Sequence, residues 1–458
     1  MNSLQQASTK SSVAVEIARS GSVVALAICY VLFKLQFYHG LKYLMQALAL
    51  LVLVIMLPSA RGMPRRVSIV LLAMGSILMC RAGADAATWL SGLGQNVVII
   101  AILVFTPQLA IPLRSERYMS ALAGFYRTYV NTSGRLCLFS MFFTHFLGII
   151  LNFGSVPLVC GLVKDNLKKD NLRPVLAAIN RGFATSIMWS PYFAAMALVP
   201  NRMGVSWASI LPVCFSTAMI CLLFSFLLDC RGRCGKGGGE GRPPLDSENR
   251  GALASILAAG LGGSLSILSV EWLTGIDMVI IVCFAATAFP FLWGLKQEYR
   301  PVYRSEIKRH LTETVPMMKN ESILFLSSGF FGSSVAASGW GDYLSSGVQL
   351  IAGYSFFLAQ LAIIMTMVLL AVAGVHPVVS ASVLVATLYP PVGGFTPQSL
   401  AVILLISWSL SIMSSPFTAV NMLLAGLAGK TPVEVGLKWN ISYVLLAGLF
   451  AAVFLTIN

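Results

Sequence analysis

Apolar runs of about 17 to 25 residues recur from one end of this sequence to the other, each long enough as a helix to cross roughly 30 Å of hydrocarbon. In lipid every backbone N–H and C=O must be satisfied within the chain, which restricts spanning segments without strand-like alternation to helices. Of the 458 residues, 57% are hydrophobic and only 10% charged, against about 25% charged in soluble domains. An ordinary soluble fold is excluded. The expected class is an all-α polytopic membrane protein whose first partner is the lipid bilayer.

Full spans are expected at 22–38, 41–57, 67–82, 96–113, 175–199, 206–228, 252–270, 276–294, 321–338, 399–424 and 438–457. Two further stretches, 136–163 and 356–388, are too long for one crossing and too short for two. Each is interrupted by helix-weakening residues, "NFGSVP" at 152–157 and "AGVHP" at 373–377, so each is read as a re-entrant hairpin. Lys and Arg concentrate on the cytoplasmic side of membrane proteins. With the N-terminus cytoplasmic and 136–163 a hairpin, 26 of the 31 Lys and Arg fall inside. A single crossing there would put the most basic loops outside. The net charge of +14 is therefore a topology signal, and no nucleic-acid partner is expected.

The nine Cys lie mostly within apolar runs, where Cys acts as a small hydrophobe, and no disulfide framework is expected. Cys230 and Cys234 lack a second Cys or His pair and read as loop residues rather than metal ligands. The polar N-terminus leads into an apolar run with no small-residue cleavage site, an uncleaved first span. Asn-X-Ser sequons at Asn131, Asn320 and Asn440 fall on the expected cytoplasmic side and are taken as chance.

The stretch "SIMWSPYFA" at 186–194 returns as "SIMSSPFTA" at 411–419, 225 positions later. Each copy follows an interrupted hairpin, and the charge pattern makes the first run outward and the second inward. Opposed halves with broken helices are the sequence signature of an inverted-repeat transporter. The expected organisation is an N-terminal half at 1–229 (hairpin 136–163, broken span 175–199), a cytoplasmic linker at 230–250, and a C-terminal half at 251–458 (hairpin 356–388, broken span 399–424).

A proline within a span frees a backbone carbonyl, and the resulting half-helix ends bind ions or anions. Pro191 and Pro416 mark those breaks, surrounded by Thr185, Ser186 and Ser190 in one half and by Ser411, Ser414, Ser415, Thr418 and Asn421 in the other. The hairpin tips, Asn152, Gly154 and Ser155 against Gly374, Val375 and His376, supply the other candidate walls. The plain alternative is that the hydroxyls bond back to their own helices and the prolines merely kink. His145 reads as a satisfied packing residue, and Arg181 as a cation that snorkels to the interface. No Asp or Glu lies in either hairpin or either Ser-Pro motif, which favours an anionic or neutral substrate over a cation.

In this layout the chain resembles the ion transporter superfamily, and within it the divalent anion/sodium symporters and their citrate- and arsenite-transporter relatives. The resemblance covers nearly the whole chain as architecture and rests on residues 152–157, 186–192, 374–377 and 411–421. It implies that these four pieces enclose the substrate and a sodium ion, and that the protein forms homodimers with a moving transport domain. The Ser-Asn-Thr hairpin tip and the Thr-Pro-Pro-Asn break of that family are replaced here by other sequences.

The expected function is ion-gradient-driven secondary transport of a small, dicarboxylate-like organic anion across the inner membrane, with sodium or a proton as coupling ion. The rivals are an exporter of an inorganic oxyanion or toxic metabolite, and a membrane-embedded lipid-modifying enzyme. The enzyme reading lacks the acid-rich metal motif that such chemistry needs.

Overall fold

A computed structural model describes residues 2–130, 132–231 and 245–457, with the backbone alone for 2–17. Cys234, the Asn131 sequon and most of the linker lie outside the described residues. Among those described the chain is helical throughout, with no strand. Helices α1 (Asn2–Lys34), α2 (Leu41–Met56), α3 (Gly62–Arg81), α4 (Ala86–Gly94) and α5 (Val97–Phe105) come first. They are followed by α6 (Glu116–Tyr129), α7 (Ser133–Leu151), α8 (Ser155–Val163), α9 (Leu172–Ser186), α10 (Ala194–Met203), α11 (Trp207–Ser225) and α12 (Ser247–Thr274). Next come α13 (Met278–Gly294), α14 (Arg300–Arg309), α15 (Val315–Met317), α16 (Lys319–Ala337) and α17 (Trp340–Tyr354). The chain ends with α18 (Phe356–Val372), α19 (Pro377–Thr387), α20 (Pro397–Ser414), α21 (Ala419–Ala428) and α22 (Trp439–Ile457). Seven helical runs of described residues are long and apolar enough to cross a bilayer, or eight with the bent pair α16 and α17. This is an all-α polytopic membrane protein.

The helices gather into two compact units, each drawing on both halves of the sequence. The first comprises residues 1–112, 279–345 and 382–388. There α16, rich in Ser and Gly, packs on α3 and α4, the close approach that small residues allow in membranes. Asn96 Nδ2 donates to Phe325 O at 3.0 Å and to Ser382 Oγ at 2.8 Å, joining three chain segments.

The second unit comprises residues 113–278, 346–381 and 389–458 and holds both Ser-Pro motifs. Its most extensive pairing is α7 on α9. Gly182 makes this possible, because the Met141 carbonyl occupies the space a β-carbon would need. Helix α20 is buried along most of its length and packs against α18, α22, α10, α11 and α9. It starts where Thr396 and Ser399 form a capping box ahead of Pro397, an arrangement that satisfies otherwise orphaned N–H groups.

Helices α7 and α8 belong to one apolar run of 34 residues, Ser133–Asn166. A straight helix of that length would measure about 50 Å, well beyond the hydrocarbon thickness. The run breaks at Asn152, whose backbone takes φ 52°, and the two helices pack against one another. In the second stretch Gly374, at φ 101°, separates α18 from α19. Here α18 packs on α20 and α22, while α19 from Ser382 onward belongs to the first unit.

The sequence echo extends into the architecture. Helices α10 and α21 both start and end 225 residues apart, Ala194 to Ala419 and Met203 to Ala428. Both are capped by a left-handed glycine at φ 62°, Gly204 and Gly429, the conformation that ends a helix without a β-carbon penalty. Amphipathic α6 and α17 likewise end 225 apart, at Tyr129 and Tyr354.

The expectation of no disulfide is corrected. Cys137, at the start of α7, is bonded to Cys230, with Cα atoms 5.6 Å apart across 93 residues. That separation lies within the disulfide range. Burial of Cys137 in an apolar face made it look like packing alone.

Candidate functional site

The two Ser-Pro motifs fold the same way. In the first, α9 stops at Ser186 and α10 begins at Ala194. The Ser190 N–H donates to Ser186 O at 3.1 Å, its Oγ donates to Ile149 O of α7 at 3.5 Å, and the Tyr192 N–H donates to that Oγ at 3.4 Å. In the second, α20 stops at Ser414 and α21 begins at Ala419. The Ser415 N–H donates to Ser411 O at 3.0 Å, its Oγ to Ala371 O of α18 at 2.6 Å, and the Phe417 N–H to that Oγ at 3.3 Å. In both, a serine hydroxyl pins the unwound turn to the helix that ends at the preceding chain break, α7 before Asn152 or α18 before Gly374. Pro191 and Pro416 follow immediately, and their missing N–H groups keep the helix from resuming there.

The breaks at Asn152 and Gly374 reach the same two turns. Asn152 Nδ2 donates to Tyr192 O at 3.4 Å, and a β-carbon on Gly374 would meet the Phe417 ring at 3.3 Å. Tyr192 and Phe417 are themselves counterparts 225 positions apart.

Asn421 organises the second break. Its Nδ2 donates to Ile412 O at 3.2 Å, Met413 O at 3.0 Å and Ser415 O at 2.8 Å, the carbonyls released where α20 unwinds. Thr418 caps α21, its Oγ1 accepting from the Asn421 N–H at 3.4 Å. Across from them stands Asn180 of α9, which the sequence did not single out. Asn180 Nδ2 donates to Asn421 Oδ1 at 2.9 Å and to Met413 O at 3.0 Å. Ser409 Oγ adds a second tie between the two broken helices, donating to Ala184 O at 2.6 Å.

Two buried polar atoms here have no hydrogen-bond partner, Asn180 Oδ1 and Ser411 Oγ. Unsatisfied buried oxygens are costly in a folded protein and call for an account. The released carbonyls, the two asparagine side chains and the serine hydroxyls together form an oxygen-rich, uncharged set. Such a set suits a sodium ion or, through its N–H and O–H groups, an oxyanion.

Other expected site residues are engaged locally. The hydroxyls of Thr185, Ser186 and Ser414 bond back to Arg181 O, Phe183 O and Leu410 O of their own helices. Ser155 Oγ donates to Asn152 O at the α7–α8 break, and a β-carbon on Gly154 would meet only Leu151. His376 Nδ1 accepts from the Val378 N–H at 3.2 Å, just inside α19. His145 is the satisfied packing residue expected: its Nε2 accepts from Trp189 Nε1 at 3.2 Å, leaving Nδ1–H for Gly182 O at 3.2 Å.

Arg181 does not snorkel. It is 2% exposed, ion-paired with Asp229 at 2.6 Å, and its Nε donates to Asn440 Oδ1 at 3.0 Å. The guanidinium finds an internal counter-charge and acceptors, so it has no need of the interface. Asn440 of the third sequon is thereby buried and engaged.

No protein-family model matches the sequence, and a search of curated proteins finds no match. Solved structures do match. The chain is similar to the YdaH transporter of Alcanivorax borkumensis over 85% of its own length and 97% of that protein's, at 13% identity and a TM-score of 0.55. The two share a fold. MtrF of Neisseria gonorrhoeae, from a class of antimetabolite efflux pumps, aligns over 81% of this chain and 80% of that one, at 15% identity and a TM-score of 0.34.

Proposed function

We propose that this protein is a secondary transporter that carries a small organic anion, of dicarboxylate type, through alternating access driven by an ion gradient. The observation that carries the reading is the pair of Ser-Pro breaks, 225 positions apart, with matching serine-to-carbonyl bonds and a direct Asn180–Asn421 contact between their helices. Broken helices of this kind place half-helix ends and free carbonyls around a binding site near the middle of the membrane. The motifs themselves carry hydroxyl and amide donors and no Asp or Glu, which suits an anion. Sodium is the proposed coupling ion, held by the carbonyls released at the end of α20 together with Asn180 Oδ1. The repeats are proposed to be inverted, a reading that the distribution of Lys and Arg supports. The fold shared with a transporter supports this reading at the level of architecture.

The test is a thermal-shift panel on purified protein, with di- and tricarboxylates, sulfonates and oxyanions, each in sodium and in potassium. A ligand that binds the folded state raises its apparent stability. The expected result is a sodium-dependent shift with a carboxylate, absent in Ser415→Ala/Asn421→Ala. A shift that needs no sodium and survives that variant would place the site elsewhere.

A further inference from the structure

We propose that Arg181, Asp229 and Asn440 form a polar latch on the broken helix α9, and that α22 parts from it during the transport cycle. Among the described residues no other Lys or Arg is buried as Arg181 is. Its Nη1 donates to Asp229 Oδ2 at 2.6 Å, its Nε to Asn440 Oδ1 at 3.0 Å and its Nη2 to Trp439 O at 3.2 Å, while the guanidinium stacks 4.5 Å over the Tyr443 ring.

Both groups that hold it sit at π-helical turns. Asp229 lies within the turn Phe226–Cys230, and Trp439 and Asn440 follow directly on the turn Glu434–Lys438. Asn440 Nδ2 donates back to Val435 O at 2.9 Å and Gly436 O at 3.1 Å, so one amide serves both the latch and the carbonyls the π turn disturbs. Single π turns inside helices are rare and frequently lie at functional sites.

The repeat supplies the decisive comparison. At 225 positions from Arg181, Asp229, Asn440 and Tyr443 stand Ile406, Phe454, Phe215 and Ala218. The other repeat thus has hydrocarbon at the counterparts of Arg181 and Asp229, so packing of this kind does not demand charge there. A buried ion pair is commonly replaceable by apolar residues without loss of stability. What the polar version adds is reversibility. When α22 separates, Arg181 keeps Asp229 as its counter-charge and exchanges uncharged contacts, Asn440 Oδ1, Trp439 O and the Tyr443 ring, for water. Hydrocarbon surfaces parting into water would have no such replacement. The disulfide from Cys230 to Cys137 ties the Asp229 side to α7. The α22 side carries no bond of that kind among the described residues, so the latch opens there.

The latch rests on the transport reading, yet its test needs no substrate, so its failure and that of the anion panel are read separately. Amide hydrogen exchange of the full-length protein in detergent would be followed by mass spectrometry at residues 439–443 and 187–193. Asn440→Ala is expected to speed exchange in both segments at least tenfold, with little change elsewhere. Arg181→Ile/Asp229→Phe, which copies the other repeat, is expected to slow exchange there at least threefold at an unchanged melting temperature. Arg181→Met/Asp229→Leu repeats the measurement with smaller side chains should the first pair misfold. Exchange at or above the parent rate in the folded apolar variants would make the cluster structural only and overturn the latch. So would an Asn440→Ala effect that stays within the turn 434–438.

Discussion

Asn421 presents one amide nitrogen to three carbonyl oxygens and its own oxygen to Asn180. Asn421→Ala strands those groups, and leaving buried polar atoms unpaired costs about 1–3 kcal/mol; denaturant unfolding should show a loss of that order. Gly182→Ala drives a β-carbon into the Met141 carbonyl at the α7–α9 crossing, and should cost about 3 kcal/mol or prevent folding, as overpacked sites do. His310 lies outside the spans, with Nε2–H donating to Val104 O at 2.8 Å, and burial holds its pKa below the usual histidine value. A base depressed in the folded state contributes stability fully present above its unfolded pKa of about 6.5 and lost as pH falls below it. Melting temperature measured from pH 8 to pH 5 should therefore fall more for the parent than for His310→Gln. Repetition shows which residues could be found beforehand. Ser190, Ser415 and the two prolines are visible because each has a counterpart. Asn180 and Arg181 correspond in the other copy to Leu405 and Ile406, 225 positions on, so a search for repeated chemistry passes over them. Arg181 was further obscured because its partner Asp229 lies 48 residues away at the edge of a polar linker.

At the scale of elements, some apolar runs were legible to within a few residues, 41–57 as α2 and 206–228 as Trp207–Cys230, because hydrocarbon thickness sets their length, whereas the expected span 22–38 lies inside a helix that starts at Asn2. The break at Asn152 was also legible, since a 34-residue helical run cannot cross the bilayer unbroken. Helices α6 and α17 were not, being amphipathic and too short for a search built on spanning length. The Ser-Pro breaks make their own prediction. Pro191→Ala and Pro416→Ala restore a backbone N–H and let each helix continue, which favours helix by up to about 3 kcal/mol per site. Either variant should match or exceed the parent in melting temperature while losing the sodium-dependent ligand shift. A lower melting temperature with the shift intact would mean that the kinks serve packing and not binding.

Over the whole molecule, the described helices form two units that each combine parts of both halves, whereas the sequence divides naturally at its polar linker. Linear order reveals repeats but not which copies pack together, because helix pairing depends on long-range contacts such as α18 on α20 and α7 on α9. The disulfide is of the same kind, closing 93 residues between an apolar helix and a loop edge. The central claim is that two equivalent broken helices face the bilayer in opposite senses, and topology tests it most directly. Reporter domains active on only one side of the membrane would be fused after Asp170, which follows α8, and after Gly394, which follows α19. Inverted repeats predict the Asp170 fusion inside and the Gly394 fusion outside. Both reporters on the same side would contradict the account.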